Sequence, residues 1–580
     1  MWQFDQKTWE NEILSSLKKT ELPHFDKKIF GNESISPFSF GSSPEPFQVR
    51  GETKFLAVQN YEDLVSRGMG EWIHHADVGF RFRELMDIQL EQSLRHKTLF
   101  LSQPFPFLPS GEQSAKIQQL VQDGHQLHLG WSPLSFGLTR GEILKKPFAN
   151  WDKIFKSSAL LPDEVIWFYL SSAPYQWAGA EPHVELGVML SLAYATLREL
   201  DAVGVPPAQT LKRFSFGLAL GTDILVETSK IAALRILWQR LSEVLGKDMD
   251  LNNEIYTLPS LRFFSGRDTQ NNLLRITLMA LSAALGGAQG FKCIPYDALN
   301  RKKSPDAMRL STNIPLLLKQ EGFVAGVHNM LDGASLFEKT TESICEKAWM
   351  FFQEVEKKGG LFEAVRSGWL QTELKRQEEF SKNQLCYFQK EIIGVNKYVV
   401  PQSIDETGDQ TPDKNSLMRL SDIIDPLFLT KSPDDYLTVE PLVVNSVCYD
   451  WDVVQIRSDQ YRHKMGTRPC IKVIKGGGPV VEKKINWLSQ IFSVAGFAMD
   501  VHTAEPTSWP TMAQEALIIL VPSHDEMEET MALQLRQQTR ARLWSFNTLK
   551  DTSKVDKFLQ TDVNILEIIK EMQSLVLEGV

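Results

Sequence analysis

Short apolar runs alternate with longer segments of helical periodicity over residues 46–380 of this 580-residue chain. KTLFLSQ is followed by SGEQSAKIQQLVQDG, EVIWFYLSS by PHVELGVMLSLAYATLREL, and FSFGLALGTD by ILVETSKIAALRILWQRLSEVLG. Such alternation predicts strand–helix units whose strands assemble into a parallel sheet. A closed barrel is the commonest fold built from such units at a length of about 250 residues or more. We therefore expect a (β/α)8 TIM-type barrel.

The same alternation resumes from residue 466 on a smaller scale. Its apolar runs IKVIKG, AMDVHT, EALIILVPS and ARLWSFN are separated by helical or polar segments, and the helical pattern ILEIIKEMQSLVLE follows them. A unit of this size and pattern is typical of an open, doubly wound sheet of flavodoxin type, in which ligands bind beyond the carboxyl ends of the strands. The predicted fold class is thus α/β, with a barrel followed by a flavodoxin-like domain.

Two polar segments rich in proline and aspartate separate these regions, DETGDQTPDKNS (405–416) and KSPDDYL (431–437). Composition of this kind is typical of linkers. Ahead of the barrel, one predicted helix (about 6–19) and the Ser/Pro/Gly-rich run GNESISPFSFGSSPEP form an arm. The predicted organisation is therefore an arm (1–45), a barrel (46–380), a linker (381–465) and a small domain (466–580).

The composition argues against several classes of protein. A net charge of −10 does not suit a nucleic-acid-binding protein, which normally carries a basic face. No apolar run reaches the ~18 residues of a membrane span, and Asp5, Glu10 and Glu12 do not fit a signal or transit peptide. The five cysteines are odd in number and scattered, as in proteins of a reducing compartment. We expect a soluble, cytoplasmic protein without nucleic-acid or membrane partners.

The stretch RPCIKVIKGGGPVVEKK (468–484) has the outline of a ligand-binding loop. An apolar run leads into Gly476, Gly477 and Gly478, and a helical segment follows. A strand–loop–helix unit of this kind often cradles a phosphate or a cofactor. Whether it binds one depends on the side chains that follow the glycines.

Histidines are the other candidate ligands. His502 and His524 follow the predicted strands AMDV and LIILVPS, at the carboxyl ends where ligands bind in such sheets. Neither has an evident partner that would orient its ring, so we interpret both as solvated loop residues. His125, in QDGHQLHLG, is interpreted as part of an ordinary loop and strand start. His74 and His75 lack a third ligand at a useful spacing, so no metal site is expected there.

Four stretches, in the same order and at similar spacing, resemble the methylmalonyl-CoA mutase family of adenosylcobalamin-dependent acyl-CoA mutases. They are FSFGLALGTDILVETSKIAALRILW (214–238), DTQNNLLRITLMALSAALGGAQGFKCIPYD (268–297), AWMFFQEVEKKGGLFEAVRSG (348–368) and QKEIIGVNKYV (389–399). The resemblance extends over most of 10–400 and, more loosely, over 466–580. It implies a barrel that binds an acyl-CoA thioester and a small domain of the cobalamin-binding type, in which the cofactor supplies the radical chemistry.

The resemblance also identifies the positions that would ligate cobalt. Cofactor-binding members carry Asp-x-His-x-x-Gly in the first loop of the small domain, where the histidine is the lower axial ligand and the aspartate orients it. Aligned on its Arg-Pro pair, this chain retains Lys475 but has Pro479 for the aspartate, Val481 for the histidine and Lys484 for the glycine. Neither proline nor valine can ligate a metal, so no metal ligand is assigned.

The barrel shows similar losses. Active members place a catalytic histidine in a segment like Ser-Gly-Tyr-His-Met-Gln-Glu-Ala-Gly-Ala, and the matching stretch here is SSAPYQWAGA (171–180), with Pro174 at the histidine position. The family's substrate tyrosine has at best Tyr61 as a counterpart, and its arginine-bearing carboxylate segment is not recognisable between 131 and 165. Catalysis depends steeply on the positioning of such groups. No catalytic residue is therefore assigned.

The resemblance implies the small, β-type subunit of a heterodimeric mutase that interconverts methylmalonyl-CoA and succinyl-CoA. Such a subunit keeps the fold without a working active site, binds the catalytic large subunit, and leaves adenosylcobalamin to that partner. Association would stabilise the partner's closed state. Two alternatives stay open: an active cobalamin-dependent acyl-CoA mutase with an atypical cobalamin site, and a free-standing scaffold.

Two family positions of this chain are candidate cofactor contacts, Gln289 and Lys475. In an active mutase with an atypical site, both would touch the cofactor. The simpler interpretation makes Gln289 a polar residue at a barrel end and Lys475 a solvated strand end.

Overall fold

The computed structural model describes residues 27–30, 33–35, 56–60, 78–82, 97–101, 111–132, 134, 137–145, 162, 165–246, 251–300, 304, 306–324, 331, 333–400, 436–444, 446–503, 516–546 and 555–577. The predicted helix over 6–19 lies outside these residues, as do Tyr61, His74, His75 and most of 131–165.

Two short antiparallel strands precede the barrel, β1 (Lys27–Phe30) and β2 (Glu33–Ile35). They lie in the segment predicted as an arm, for which the sequence pattern indicated a helix and a polar run but no strand. A three- or four-residue strand leaves too short an alternation to be recognised from sequence.

Eight parallel strands form a closed barrel. In chain order they are β3 (Leu56–Asn60), β4 (Val78–Phe82), β5 (Thr98–Leu101), β6 (Gln126–Trp131), β8 (Ile166–Ser171), β9 (Phe214–Leu220), β10 (Ile255–Pro259) and β11 (Gly290–Lys292). The ring closes where β11 pairs in parallel with β3. A further strand, β7 (Glu142–Leu144), lies outside the barrel and pairs antiparallel with β12 (Tyr436–Thr438).

Helices follow several of the barrel strands and pack against the barrel and against one another. Those of the described residues are α1 (Gly111–Gln122), α2 (Gly137–Arg140), α3 (Ala173–Trp177), α4 (Pro182–Ala202), α5 (Pro207–Thr210), α6 (Ile224–Val244), α7 (Gln270–Leu285), α8 (Ala307–Gln320), α9 (Ser335–Lys357), α10 (Leu361–Arg366) and α11 (Trp369–Cys386). Every residue of β9 is buried, because one side of the strand faces this helical layer and the other faces the barrel interior.

Helix α12 (Tyr449–Met465) occupies the end of the segment predicted as a linker. It is a buried element that packs against the following small domain and contacts the barrel loop after β10. Its inner face carries polar side chains, among them Asp452, Gln455 and Asp459. Trp451 and Val454 beside them pack in the large hydrophobic core, so the buried side mixes polar and apolar residues and gives no clear apolar helical pattern in the sequence.

A separate five-stranded parallel sheet follows, in the order β14-β13-β15-β16-β17. Its strands are β13 (Cys470–Lys475), β14 (Ala498–Thr503), β15 (Leu517–Val521), β16 (Arg542–Ser545) and β17 (Lys557–Phe558), and its helices are α13 (Pro479–Ala495), α14 (Asp525–Gln538) and α15 (Ile565–Val576). Alternate residues of β15 pack on opposite sides, Ile519 with the large core and Ile518 with the cluster under α14. Both faces of the sheet are thus covered by helices.

The predicted α/β class with parallel sheets is confirmed. The strand–helix pairs expected from KTLFLSQ, EVIWFYLSS and FSFGLALGTD are β5 with α1, β8 with α4 and β9 with α6. Within the described ranges, no helix combines the length and the apolar composition that crossing a bilayer would require.

Candidate functional site

A cleft of about 440 Å³ opens at the carboxyl ends of three neighbouring barrel strands. Its walls come from the segment after β8, the segment after β9 and the turn after β10, and α11 lies across them. In parallel α/β barrels this end is where ligand-binding and catalytic groups collect. The lining is mostly polar, with Gln176, Asp223, Arg262 and Lys390 among its side chains.

A fully buried ionic network supports the floor of the cleft. The Lys230 ammonium lies 2.7 Å from Glu185 and 2.7 Å from Glu227, and donates to the Ala219 carbonyl at 2.6 Å. The Ser172 hydroxyl donates to the other oxygen of Glu185 and accepts from the Ala219 amide at 3.1 Å. Burial raises the pKa of Glu185 to about 7, against the lowering effect of Lys230. The network joins β9, α4 and α6, so it holds the segments after β8 and β9 in place.

Two basic side chains of the described part of the chain line the cleft, and one of them is paired with a carboxylate of the protein. Arg262 is 4% exposed and pairs with Glu378 of α11. The Ser260 hydroxyl donates to the Gln176 amide oxygen at 2.7 Å. Lys390 lies 5.2 Å from the centre of the Phe263 ring, and burial among the cleft walls, with the nearby Arg262 charge, lowers the pKa of Lys390. One buried donor, Nε of Arg262, has no partner among the described residues.

Pro174 lies in the segment after β8, behind the residues that line the cleft. Pro174 lies in the first turn of the short helix α3 and is buried together with Ala173 and Tyr175. Burial raises the pKa of Tyr175 above its usual range. The resemblance places a catalytic histidine of active members at position 174. In this chain the position is a buried proline, which has no acid–base group.

The interior of the barrel holds an aromatic cluster that sequence analysis did not predict. The Phe100 ring stacks on His128 with centroids 4.5 Å apart, and Tyr256 meets both rings edge-on, at 4.7 and 5.3 Å. Leu99 and Leu127, next to these residues in their strands, belong to the core under the helices. Because successive strand residues face opposite sides, the aromatic rings face inward and fill this layer of the barrel.

Glu254 completes this interior cluster at the amino end of β10. Its carboxylate lies 3.1 Å from His128 Nε2 and accepts from Gln126 at 2.8 Å and from the Tyr256 hydroxyl at 3.0 Å. Burial favours the neutral acid, but the hydrogen bond and charge of His128 outweigh it and lower the pKa of Glu254. In β6, His128 lies between Leu127 and Leu129, which pack in the core under the helices. Because side chains alternate along a strand, this position predicts that His128 faces the barrel interior, and that was the available signal in the sequence.

The loop RPCIKVIKGGGPVVEKK folds as β13 followed almost at once by α13. Gly478 caps the helix with φ 111°, a conformation that favours glycine, and Pro479 occupies the first turn. Val481 is 2% exposed and packs in the large hydrophobic core. The positions that would supply the aspartate and histidine are thus part of a helix, and the second of them faces away from solvent. These residues do not fit cobalt ligation.

Hydrogen bonds join the loop after β13 to the loop after β15. The chain adds β14 on one side of β13 and β15 on the other, so the strand order reverses between β13 and β15. Doubly wound sheets bind their ligands at this point. The Ser523 hydroxyl, just after β15, lies 2.9 Å from both the amide and the carbonyl of Gly477. A side chain added to Gly476 would meet Ser523 and Met527. The two loops are therefore closely packed at this point.

The sequence-predicted site residues do not come together. Lys475 pairs with Glu482 at 2.5 Å at the carboxyl end of β13. Gln289 lies at the amino ends of the barrel strands, where its amide oxygen accepts from the Ile255 amide at 2.8 Å and from Arg235 at 3.2 Å. The cleft lies at the opposite ends of these strands. The assignment of Gln289 and Lys475 to a cofactor stays a prediction.

The three histidines considered as ligands are engaged locally. His502 Nε2 lies 3.0 Å from Asp500 on the edge strand β14. His524 caps α14, its Nδ1 accepting from the Met527 amide at 3.3 Å. His125 is buried before β6 and accepts from the Lys97 amide at 3.1 Å. Each contact suits a structural role.

Comparison with known families bears directly on the barrel half. Residues 164–422, which include the cleft segments after β8, β9 and β10, match the family model described as methylmalonyl-CoA mutase. The resemblance to the methylmalonyl-CoA mutase family is confirmed for this segment. The cleft therefore lies within the part of the chain that is similar to these mutases.

Curated relatives include both subunit types. The chain is 31% identical over 228 residues to a probable methylmalonyl-CoA mutase small subunit of Mycobacterium bovis, covering 38% of this chain and 36% of that protein. Two relatives from Propionibacterium freudenreichii subsp. shermanii are each 28% identical: a small subunit (41% of this chain, 38% of the relative) and a large subunit (40% and 32%). The chain thus spans about a third of the length of the curated relatives it matches. The names small and large subunit imply a two-chain mutase among these relatives.

Proposed function

We propose that this chain is the small, non-catalytic subunit of a cytoplasmic methylmalonyl-CoA mutase, and that it binds and stabilises a catalytic large subunit. In this proposal the complex interconverts methylmalonyl-CoA and succinyl-CoA, and the partner holds adenosylcobalamin. The two structural units are a TIM-type barrel and a degenerate flavodoxin-like domain of the cobalamin-binding type. The relatives named small subunit support this assignment.

The observation that carries the proposal is the fold of residues 475–485. Where a cobalt ligand would project from a loop, Pro479 and Val481 form the first turn of α13, and Val481 is buried in the core. Both residues belong to the helix and not to a loop, and valine offers no lone pair for a metal. The Ser523–Gly477 hydrogen bonds, which pack the loops after β13 and β15 together, support the same conclusion.

The barrel half supports a non-catalytic role independently. Pro174 replaces the only acid–base group that the resemblance assigns to the segment after β8, and Arg262 is tied to Glu378. The Glu378 carboxylate neutralises the arginine charge that an acyl carboxylate would otherwise meet there.

A second candidate is an active mutase with an atypical site, and one observation favours it. The cleft of about 440 Å³ remains at the carboxyl ends of the strands, with the unpartnered Nε of Arg262 in its wall. A pocket with convergent polar groups is the usual form of a ligand site.

The deciding experiment uses the full chain alone and with a second mutase chain of the same genome that retains Asp-x-His-x-x-Gly. We expect the isolated chain to leave the visible spectrum of adenosylcobalamin unchanged in a titration, and to copurify with the second chain when the two are expressed together. Saturable binding at micromolar concentration would favour the atypical active mutase. A chain that neither binds cobalamin nor copurifies would overturn the subunit assignment in favour of the scaffold.

A further inference from the structure

Helix α7 carries a row of leucines on its outer side. Leu274 is 65% exposed and Leu278 37% exposed, while Leu281 and Leu285 are half-buried. Their spacing of four, three and four residues places them along one stripe of the helix. We call these four residues the α7 seam. The residues that α7 buries against the barrel, such as Ile276 and Met279, lie on the other side.

The α7 seam has no charged residue beside it on its own helix. The sole charged residue in QNNLLRITLMALSAAL is Arg275, which is 7% exposed. Its guanidinium is used internally, donating to Asn272 at 2.6 Å and to the Ile393 carbonyl at 2.5 Å. A helix face that remains in contact with water normally carries charged side chains. This face has the composition of a surface that another protein covers.

Apolar side chains are also exposed near the C-terminal end of the neighbouring helix α8. Helices α7 and α8 follow β10 and β11, which lie side by side and run parallel, so both helices run in the same direction. Their C-terminal ends therefore lie at the same end of the barrel. There α8 exposes Leu317 (47%), and Phe323 just beyond it is 71% exposed with φ 52°.

The N-terminal end of α7 is bordered by the segment after α11. Gly394 lies against Asn271, one turn before Leu274, and the neighbouring Ile393 is 49% exposed. Tyr398 is 72% exposed, and the Lys397 ammonium lies 5.6 Å from its ring. Aromatic residues such as Tyr398 are enriched at protein–protein interfaces, so this border suits a surface that a partner covers.

We propose that the α7 seam is the centre of the surface through which this chain binds its related mutase subunit, a proposal that rests on the proposed function. Helix α7 has 16 residues and is about 24 Å long, which matches the breadth of an interface of about 800 Å² per partner. The matched family segment, residues 164–422, contains α7, so a related subunit has a corresponding helix. Two chains of one fold that pair around a two-fold axis bring the same element of each together. The occupant in this proposal is the corresponding helix of the partner's barrel.

The test places charges in the α7 seam while keeping net charge and helix propensity. Leu274→Glu combined with Leu278→Lys forms a favourable pair four residues apart on the helix. The matched control is Met350→Lys combined with Leu533→Glu, at exposed apolar positions on α9 and α14. The dissociation constant of each full-length variant for the wild-type second chain is measured by sedimentation. A Leu274→Ala/Leu278→Ala variant serves if the charged pair impairs folding.

We expect the charged pair to raise the dissociation constant at least tenfold, the alanine pair to raise it severalfold, and the control to change it less than twofold. Wild-type affinity in both seam variants would overturn this inference and leave the proposed function standing. Self-association of the isolated chain that the seam variants abolish would assign the surface to a second copy instead. If the wild-type chain does not bind the second chain, the proposed function fails and this inference fails with it.

Discussion

Two residues at the start of α4, beside the cleft, have acid–base properties set by burial. His183, in the first turn of α4, lies 3.6 Å from Glu181, and burial lowers the pKa of His183 to about 4 against the raising effect of Glu373. Burial also raises the pKa of Glu181, with Arg376 opposing it. Both side chains are therefore held closer to neutrality than they would be in water, as expected where burial disfavours the charged form.

His183 should contribute a measurable pH dependence of stability. Its pKa is depressed on folding, so the unfolded chain binds the extra proton as pH falls through about 6.5. Stability is therefore full above this pH and is lost progressively toward pH 4. We expect the wild-type free energy of unfolding to fall by about 2 kcal/mol more than that of His183→Gln between pH 7.5 and pH 5. Urea unfolding at a series of pH values measures this, and parallel profiles for the two proteins would contradict it.

At the scale of elements, the turn from β13 into α13 decides what the glycine-rich loop can do. Three glycines preserve a sharp exit from the strand, and Gly478 caps the helix in a conformation that other residues rarely adopt. Because α13 begins at Pro479, side chains two and three positions into it follow the helix rather than a loop. Val481 therefore faces the core, and an axial ligand would need a different backbone as well as a different residue.

Restoring the motif residues should not restore cobalamin binding. In a Pro479→Asp/Val481→His variant the imidazole would enter an apolar core, at a cost of about 1–3 kcal/mol. Pro479→Asp alone is the control, since an acidic first turn suits a helix N-terminus. We expect the double variant to be less stable in thermal unfolding and to leave the adenosylcobalamin spectrum unchanged. Saturable micromolar binding by the double variant would show that the loop can rearrange.

At the scale of the whole molecule, α12 joins the barrel to the small domain through buried polar contacts. Arg267 in the loop after β10 pairs with Asp459 at 2.7 Å, and the Ser265 hydroxyl donates to Asp452 at 2.7 Å. On its other side, the Ser458 hydroxyl donates at 2.6 Å to the Ala495 carbonyl at the end of α13. Both units thus depend on one helix for their junction.

The Arg267–Asp459 pair gives a direct test of this junction. The two side chains are 2% and 6% exposed. Arg267→Met would leave Asp459 buried without its partner, which typically costs about 3–5 kcal/mol. Arg267→Met/Asp459→Leu removes both charges and should recover much of that loss in urea unfolding. A double variant no more stable than the single one would indicate that the pair's hydrogen bonds to other groups dominate.

Much of the fold followed from local pattern, and the exceptions share a cause. The runs around β5, β8, β9, β13 and β15 were recognisable because each is a continuous apolar stretch next to an amphipathic helix. Helix α12 was not, because its buried side mixes the polar residues Asp452, Gln455 and Asp459 with apolar ones such as Trp451 and Val454. Apolar periodicity detects only elements whose buried side is mainly apolar.

The candidate site divides in the same way. Residue identity alone showed that Pro479, Val481 and Pro174 offer no ligand or catalytic group. Periodicity did not show that Val481 faces the core or that Phe100, His128 and Tyr256 meet inside the barrel.

What the sequence determined by itself was the strands and helices that carry a continuous apolar pattern, the parallel arrangement of those strands, and the chemical identity of Pro174, Pro479 and Val481, because these depend on neighbouring residues alone. Only the tertiary structure decided which distant residues meet: the cleft formed by the segments after β8, β9 and β10, the junction at α12, and the uncharged α7 seam. The physical reason is that such contacts join residues tens to hundreds of positions apart, and no local period encodes which of many compatible surfaces they will form.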